Sequence, residues 1–266
     1  MKTAFISLSR AGGALFSQLT TELQDLDFFL HESAGPMPGA IAFAEIRPLT
    51  AEIFPRYRAL VFAAPCGIVV RSLAGCLAHK TTDPAVVVLD VAARWCISLL
   101  SGHEGGANDL CVRLANVFGA EPVITTTTEA TKRVIVGVGC RRGVSAASIV
   151  KAVREALASA GALLNEVRFL ASAEVKLNEP GLHEAARQLG IPLRFVPAEE
   201  IRANGPRFTP SAFVKRKVGV PAVAEPAALL AGRRTKLFLP KTVFPGVTVA
   251  LARECSTWSE LDPETR

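Results

Sequence analysis

The sequence predicts an α/β fold of two α/β domains, each a mainly parallel sheet flanked by helices. Short apolar, β-branched runs alternate with segments of helical period along the whole chain, which is the pattern of layered α/β proteins. Half of the 266 residues are hydrophobic and a fifth are charged, a balance that supplies two buried cores. The alternation also restarts after one polar stretch, "TTTTEATK" (residues 125–132). That stretch sets the expected boundary between an N-terminal domain, 1–130, and a C-terminal domain, 131–266. It is short for a flexible linker.

The first predicted strand is Ala4–Leu8. Lys2 and the apolar residues after it resemble a secretion signal, but Arg10 interrupts the run and no small-residue cleavage site closes it. A helical pattern follows over Gly13–Leu23. The apolar runs Leu60–Ala64, Ala85–Leu89, Cys96–Leu100 and Pro122–Thr126 read as further strands. Helical spacing lies between them at Gly67–Leu77 and Ala107–Val117. The second half begins with strand Arg133–Val138, helix Ser145–Ala160 and strand Val167–Ala171. Helix Gly181–Leu189, strand Leu193–Val196 and helix Pro226–Ala231 come next, and strands Lys236–Leu239 and Val247–Leu251 close the fold.

The six cysteines (66, 76, 96, 111, 140, 255) form no CxxC pair and no metal-ligand spacing, and most sit in apolar surroundings. With no signal peptide, a reducing, cytoplasmic location is expected. Net charge is +6, but the Lys and Arg residues are scattered and aromatic residues are few, with a single Tyr. A polyanionic small ligand therefore explains the charge as well as nucleic acid does. The longest apolar stretches carry Pro and Gly and fall short of a membrane span. No GxSxG elbow, Walker loop or HExxH motif is present, so acyl-enzyme, nucleotide-hydrolysing and zinc-protease chemistry find no support.

"LLSGHEGGANDL" (99–110) is where an apolar strand stops abruptly at polar chemistry. Open α/β sheets keep ligand crevices at strand carboxyl ends, and this loop follows strand Cys96–Leu100. Gly105 and Gly106 permit close backbone approach and open a helix N-terminus, which suits an anion; Asn108 begins that helix. His103 exchanges a proton near neutral pH, and Glu104 either orients it or acts as a base. The plain alternative is a tight turn in which His103 caps backbone groups and Glu104 serves the helix dipole.

In "VIVGVGCRRGVSAASI", Gly137, Gly139 and Gly143 give GxGxxxG, one residue longer than the dinucleotide fingerprint. The loop offers Arg141 and Arg142, whose forks bind carboxylate or phosphate in bidentate fashion, and Ser145 as an N-cap. The alternative is an ordinary strand–helix turn with two solvated arginines. Lys176 and Glu179 follow a strand end in "SAEVKLNEPGL", and Glu225 and Lys241 stand at other element boundaries. Arg71 lies in an otherwise apolar helix and needs solvent, a ligand carboxylate, Asp83 or Asp90 as a partner. Lys80 clusters with His79 and Asp83.

Taken in order, "GIVVRSLA", "KTTDPAVVVLD", "ISLLSGHEGGAN", "PVITTTT", "VGVGCRRGVSA", "SAEVKLNEPGL", "VAEPAALL" and "LPKTVFPGVTVALAR" resemble the CbiG proteins, the cobalt-precorrin-5A hydrolase family of anaerobic cobalamin biosynthesis. The resemblance covers nearly the whole chain. It departs from the family pattern in lacking the usual middle segment, since Thr128 runs almost straight into Arg133. The resemblance implies a hydrolase that opens the δ-lactone of cobalt-precorrin-5A and releases acetaldehyde, giving cobalt-precorrin-5B.

On that footing His103 or Glu104 activates water, and Gly105 and Gly106 amides meet the developing oxyanion. Arg71, Lys80, Asn108, Gly139, Arg141, Arg142, Ser145, Lys176, Glu179, Glu225 and Lys241 complete the expected substrate contacts. A rival role for His103 is axial contact with the substrate's cobalt. The expected partner is the cobalt-corrinoid substrate, without nucleic acid or membrane; cobalt arrives with the substrate, so no protein-bound metal or cofactor is expected. A homodimer, or transient contact with the pathway's methyltransferases, is compatible with the resemblance. The alternatives are a non-catalytic corrinoid carrier and a nucleotide- or nucleic-acid-binding α/β protein.

Overall fold

Strands that are apolar at every position must be covered on both faces, and "ALVFA" and "AVVVL" are two such runs. The computed structural model describes residues 2–20, 22–204 and 222–255, and it places both runs in the middle of a sheet. The chain divides into two units, Met1–Thr126 and Thr127–Arg266.

Unit 1 runs β1 (Thr3–Ser7), α1 (Arg10–Gly13), α2 (Phe16–Leu19), β2 (Leu26–His31), β3 (Ala40–Phe43), α3 (Ile46–Ile53) and β4 (Ala59–Ala63). It continues with α4 (Cys66–Leu73), β5 (Ala85–Leu89), β6 (Trp95–Leu100), α5 (Ala107–Phe118) and β7 (Glu121–Val123). The strand order is β3-β2-β1-β4-β5-β6-β7. Side chains alternate between two cores: Phe5 packs with Phe28, Val61 and Val87, whereas Ile6 packs with Phe29, Leu60 and Phe62.

Neighbouring strands are parallel except β5 and β6, which are antiparallel. The Asp90 carboxylate accepts the amide N–H groups of Arg94 and Trp95, each at 2.7 Å, and closes the turn between them. This reversal corrects the expected position of the loop after β6. Its carboxyl end lies at the edge where β1, β4 and β5 begin, not where they end.

The helix expected over Gly13–Leu23 is instead two single turns, α1 and α2, the first opened by the Ser9 hydroxyl accepting the Gly12 N–H at 3.1 Å. Thr21 lies outside the described residues. β2, β3 and α3 escape sequence reading. β3 has four residues, and α3 holds Pro48 in its first turn, where a missing N–H costs little.

Unit 2 contains α6 (Thr127–Ala130), β8 (Val134–Cys140), α7 (Ala146–Ser159), β9 (Val167–Ala173), α8 (Pro180–Leu189) and β10 (Leu193–Val196). After α9 (Ala198–Ala203) come α10 (Ala224–Leu230), β11 (Thr235–Phe244) and β12 (Val247–Glu254). The sheet order is β10-β9-β8-β12-β11, with β8, β9 and β10 parallel and the β11–β12 hairpin antiparallel. β11 continues through Pro240 beyond its expected end because it is the sheet edge, and its register slips between Leu239 and Thr242.

α7 and α8 cover one face with Ile149, Val153, Leu182 and Leu189, while α10 covers the other through Ala224 and Ala228. α10 sits so close to β8 that a methyl group on Gly137 would collide with the Ala224 carbonyl oxygen and stand 2.6 Å from the Ala228 nitrogen. Gly137→Ala is therefore expected to destabilise the protein by roughly 2–4 kcal/mol, read as a shift in the urea unfolding midpoint. An unchanged midpoint would show that α10 moves away without cost.

Candidate functional site

The loop after β6 folds upon itself. Ser101 O accepts the N–H groups of Gly105 (3.1 Å) and Ala107 (3.2 Å), and His103 O accepts that of Gly106 (3.2 Å). The amides of Gly105 and Gly106, expected to meet an oxyanion, are thus already donating within the loop. Gly106 is left-handed at φ 83° as the N-cap of α5. Asn108, expected to touch substrate, is buried: its Oδ1 accepts the Ser98 hydroxyl at 2.8 Å and its Nδ2 donates to Thr126 Oγ1 at 3.1 Å. It ties β6, α5 and the end of unit 1 together.

His103 and Glu104 remain exposed at the loop tip. Lys80 Nζ lies 2.9 Å from Glu104 Oε1. This hydrogen bond, aided by the loop backbone and the nearby His103, holds the Glu104 carboxyl below the usual range. Glu104 and Gly105 form one wall of a groove of about 490 Å³, whose other walls are residues 54–58, ahead of β4, and Cys76, Ala78 and 81–84, ahead of β5. The groove lies at the sheet edge where the parallel strands begin. Arg71 is exposed and donates to Gly67 O at 3.1 Å, and neither aspartate expected as its partner takes that role. Asp83 accepts the Ala78 and His79 N–H groups, and Asp90 closes the β5–β6 turn.

In unit 2 the carboxyl ends of β8 and β9 bring several expected residues together. Glu179 Oε2 accepts the Gly143 N–H at 3.0 Å, while Oε1 lies 3.2 Å from Lys176 Nζ. Burial pushes the Glu179 carboxyl up, but the Gly143 amide, Lys176 and Arg142 together outweigh it and hold it below the ordinary value. Lys176 is buried and spent on this pair, so its expected role as a substrate clamp becomes an internal one. The pair anchors the loop that displays Arg141 and Arg142, both exposed and without an ion pair among the described residues.

Ser145 caps α7, accepting the Ser148 N–H at 3.3 Å. Gly139 belongs to β8 rather than to the loop, where an added methyl would stand 2.6 Å from Thr248 Oγ1 and 3.3 Å from Val223 Cβ; it is a packing position. Glu225 is buried and accepts the Lys241 backbone N–H at 3.0 Å, so these two meet each other. Arg58 on the groove wall was missed. Its signal, the basic pair in "FPRYRAL" directly ahead of a strand, was visible.

Among the described residues no helix is long and apolar enough to cross a membrane, and no three His, Cys, Asp or Glu side chains are grouped to hold a metal ion. The family described as "Cobalamin synthesis G N-terminal" matches residues 48–129, and "Cobalamin synthesis G C-terminus" matches 134–252. The chain belongs to the CbiG family. A CbiG-family relative from Salmonella typhimurium, named cobalt-precorrin-5A hydrolase, is 27% identical over 271 positions, covering 67% of this chain and 77% of its own. That alignment is longer than the whole of this chain, so the relative carries residues that this short CbiG form lacks. Only residues 130–133 separate the two matched halves. Protein CobE from Sinorhizobium sp is 35% identical over 128 residues, covering 47% of this chain and 83% of its own. A solved structure of CobE from the cobalamin (vitamin B12) pathway is 36% identical, covering 47% of this chain and 92% of its own, with a TM-score of 0.44.

The Glu179 anchor in this CbiG-family chain has a pH signature. A carboxyl whose folded pKa is depressed adds stability above its unfolded value, and that stability is lost as pH falls through the folded value. Glu179→Gln should therefore cost about 1–3 kcal/mol at pH 7. The difference from wild type should shrink as pH drops below 4.5, the ordinary glutamate value. Urea unfolding at several pH values checks this; a difference independent of pH would mean that the charge does not matter.

Proposed function

We propose that the protein is a cobalt-precorrin-5A hydrolase, opening the δ-lactone of that cobalt corrinoid with release of acetaldehyde to give cobalt-precorrin-5B. The observation that carries this is the presence of both CbiG halves in one chain, alignable with 77% of the Salmonella protein of that name. The cobalt belongs to the substrate, and the protein works in the cytoplasm without a metal of its own.

Lactone opening requires a water that gives up a proton as it attacks the acyl carbon, and a donor for the oxyanion that forms. Glu104, held ionised by Lys80, is a poor proton acceptor. In this mechanism His103 takes the proton from water as the lactone's acyl–oxygen bond breaks, and the Glu104 carboxylate offers a counter-charge to the imidazolium that results. The freed alkoxide collapses to the carbonyl of acetaldehyde as its carbon–carbon bond to the macrocycle breaks; the electron pair passes to the ring, which takes up the proton held by His103. Lys80, whose ammonium has donors beyond the one given to Glu104, replaces the Gly105 and Gly106 amides as the oxyanion donor. Arg141 and Arg142 bind acetate and propionate arms of the macrocycle.

His103→Ala should lower kcat for acetaldehyde release by roughly 10²–10⁴ while leaving corrinoid affinity within about two-fold. Normal turnover would remove the loop from the chemistry, and binding without any turnover by the wild-type protein would favour a carrier. Replacing Arg141 and Arg142 with Ala should instead raise KM, by about ten-fold for a lost charge-assisted contact, with little change in kcat. Because salt screens exposed charges, the variant's KM should depend less on ionic strength than that of the wild type.

A further inference from the structure

The groove beside the His103 loop has a composition of its own. Arg58, Tyr57, Thr81, Thr82, Asp83 and Glu104 stand among its walls. Most of the charges there are already matched. Arg56 is paired with Glu52 at 2.6 Å, and Glu104 with Lys80 at 2.9 Å. Asp83 is buried, with its carboxylate turned to the Ala78 and His79 amides. Tyr57 donates to Asp27; burial first, and then that bond, push its hydroxyl up to about 12, so it stays protonated.

The side chain of Arg58 is exposed and has no hydrogen-bond or ion-pair partner among the described residues. Its backbone, by contrast, is fixed: its N–H donates to Lys2 O at 3.1 Å and its O accepts the Ala85 N–H at 3.0 Å. A planar fork on a fixed backbone suits a carboxylate.

We infer that this groove receives a carboxylate arm of the ligand, with Arg58 as its anchoring cation. Lys80 makes this compatible with Glu104 on the wall, since its ammonium at 2.9 Å offsets part of the repulsion that the carboxylate would exert on an incoming acid arm. At about 490 Å³ the groove admits one edge of a macrocycle with its acid arm, not an entire tetrapyrrole. Held there, the arm would bring that edge of the ring against the loop that carries His103 and Glu104. The identity of the ligand as a corrinoid rests on the proposed function; the carboxylate preference rests on the groove alone.

The test uses the full chain and two stable probes, cobyrinic acid with its free acetate and propionate arms and the corresponding heptamethyl ester, followed by absorbance titration. Arg58→Met should weaken cobyrinic acid binding about ten-fold while leaving the ester unaffected, and Arg58→Lys should restore part of the loss. Thermal unfolding midpoints matching the wild type would exclude a folding defect as the cause. Unchanged acid affinity in Arg58→Met, equal losses for acid and ester, or no acid binding by the wild type would each overturn the inference. Acetaldehyde release from cobalt-precorrin-5A by the wild type is measured separately. Its absence would defeat the proposed reaction, while the Arg58 effect would still stand.

Discussion

The Asp90 turn decides where unit 1 places the loop that carries His103 and Glu104. Two short hydrogen bonds from the Arg94 and Trp95 amides to one carboxylate close a connection too brief for any crossover, so β6 must return antiparallel beside β5. Burial alone would raise the Asp90 carboxyl; the two amides and the Arg94 guanidinium outweigh it and keep it ionised. Every later placement follows from that reversal. The loop 101–108 is delivered to the edge where β4 and β5 begin, next to residues 54–58 and 78–84. Had β6 been parallel, His103 would stand at the opposite edge, near the loops that follow β1 and β4.

That edge was legible in part. The strands expected at Ala85–Leu89 and Cys96–Leu100 are separated by six residues, whereas a parallel connection needs a dozen or more. The spacing therefore already requires a hairpin, which turns the carboxyl end of the second strand away from that of the first. The apolar runs of β1, β4, β5 and β8 were plain because both faces of each strand are buried, which leaves little polar alternation to confuse. β3 was hidden for the opposite reason. It is a four-residue edge strand with Ile41 exposed, so its pattern is weak.

Residue types and residue duties separate in the same way. "GVGCRRG" and "EVKLNEPGL" were singled out for their charges, and the structure does bring them together through the Glu179 carboxylate. What a linear pattern cannot show is which charges are consumed internally. Lys176 and Glu179 neutralise one another in a partly buried place where an unpaired charge is costly, and the arginines beside them stay exposed. Gly139, equally prominent in the motif, makes room for Val223 and the Thr248 hydroxyl. A glycine chosen for close approach to protein looks the same in sequence as one chosen for close approach to ligand.

Exposure also separates the two ion pairs in kind. Lys80 and Glu104 keep 70% and 39% of their side-chain surface, so water screens their attraction and the pair adds little to folding. Its effect is local: it keeps Glu104 charged but masked beside a groove that also holds Arg58. The Lys176–Glu179 pair, with only 11% and 13% exposed, is instead part of the framework that holds the Arg141–Gly143 loop. Of the two residues that open "HEGG", Glu104 is therefore restrained by a cation. That leaves the exposed imidazole of His103 as the other ionisable side chain at the loop tip.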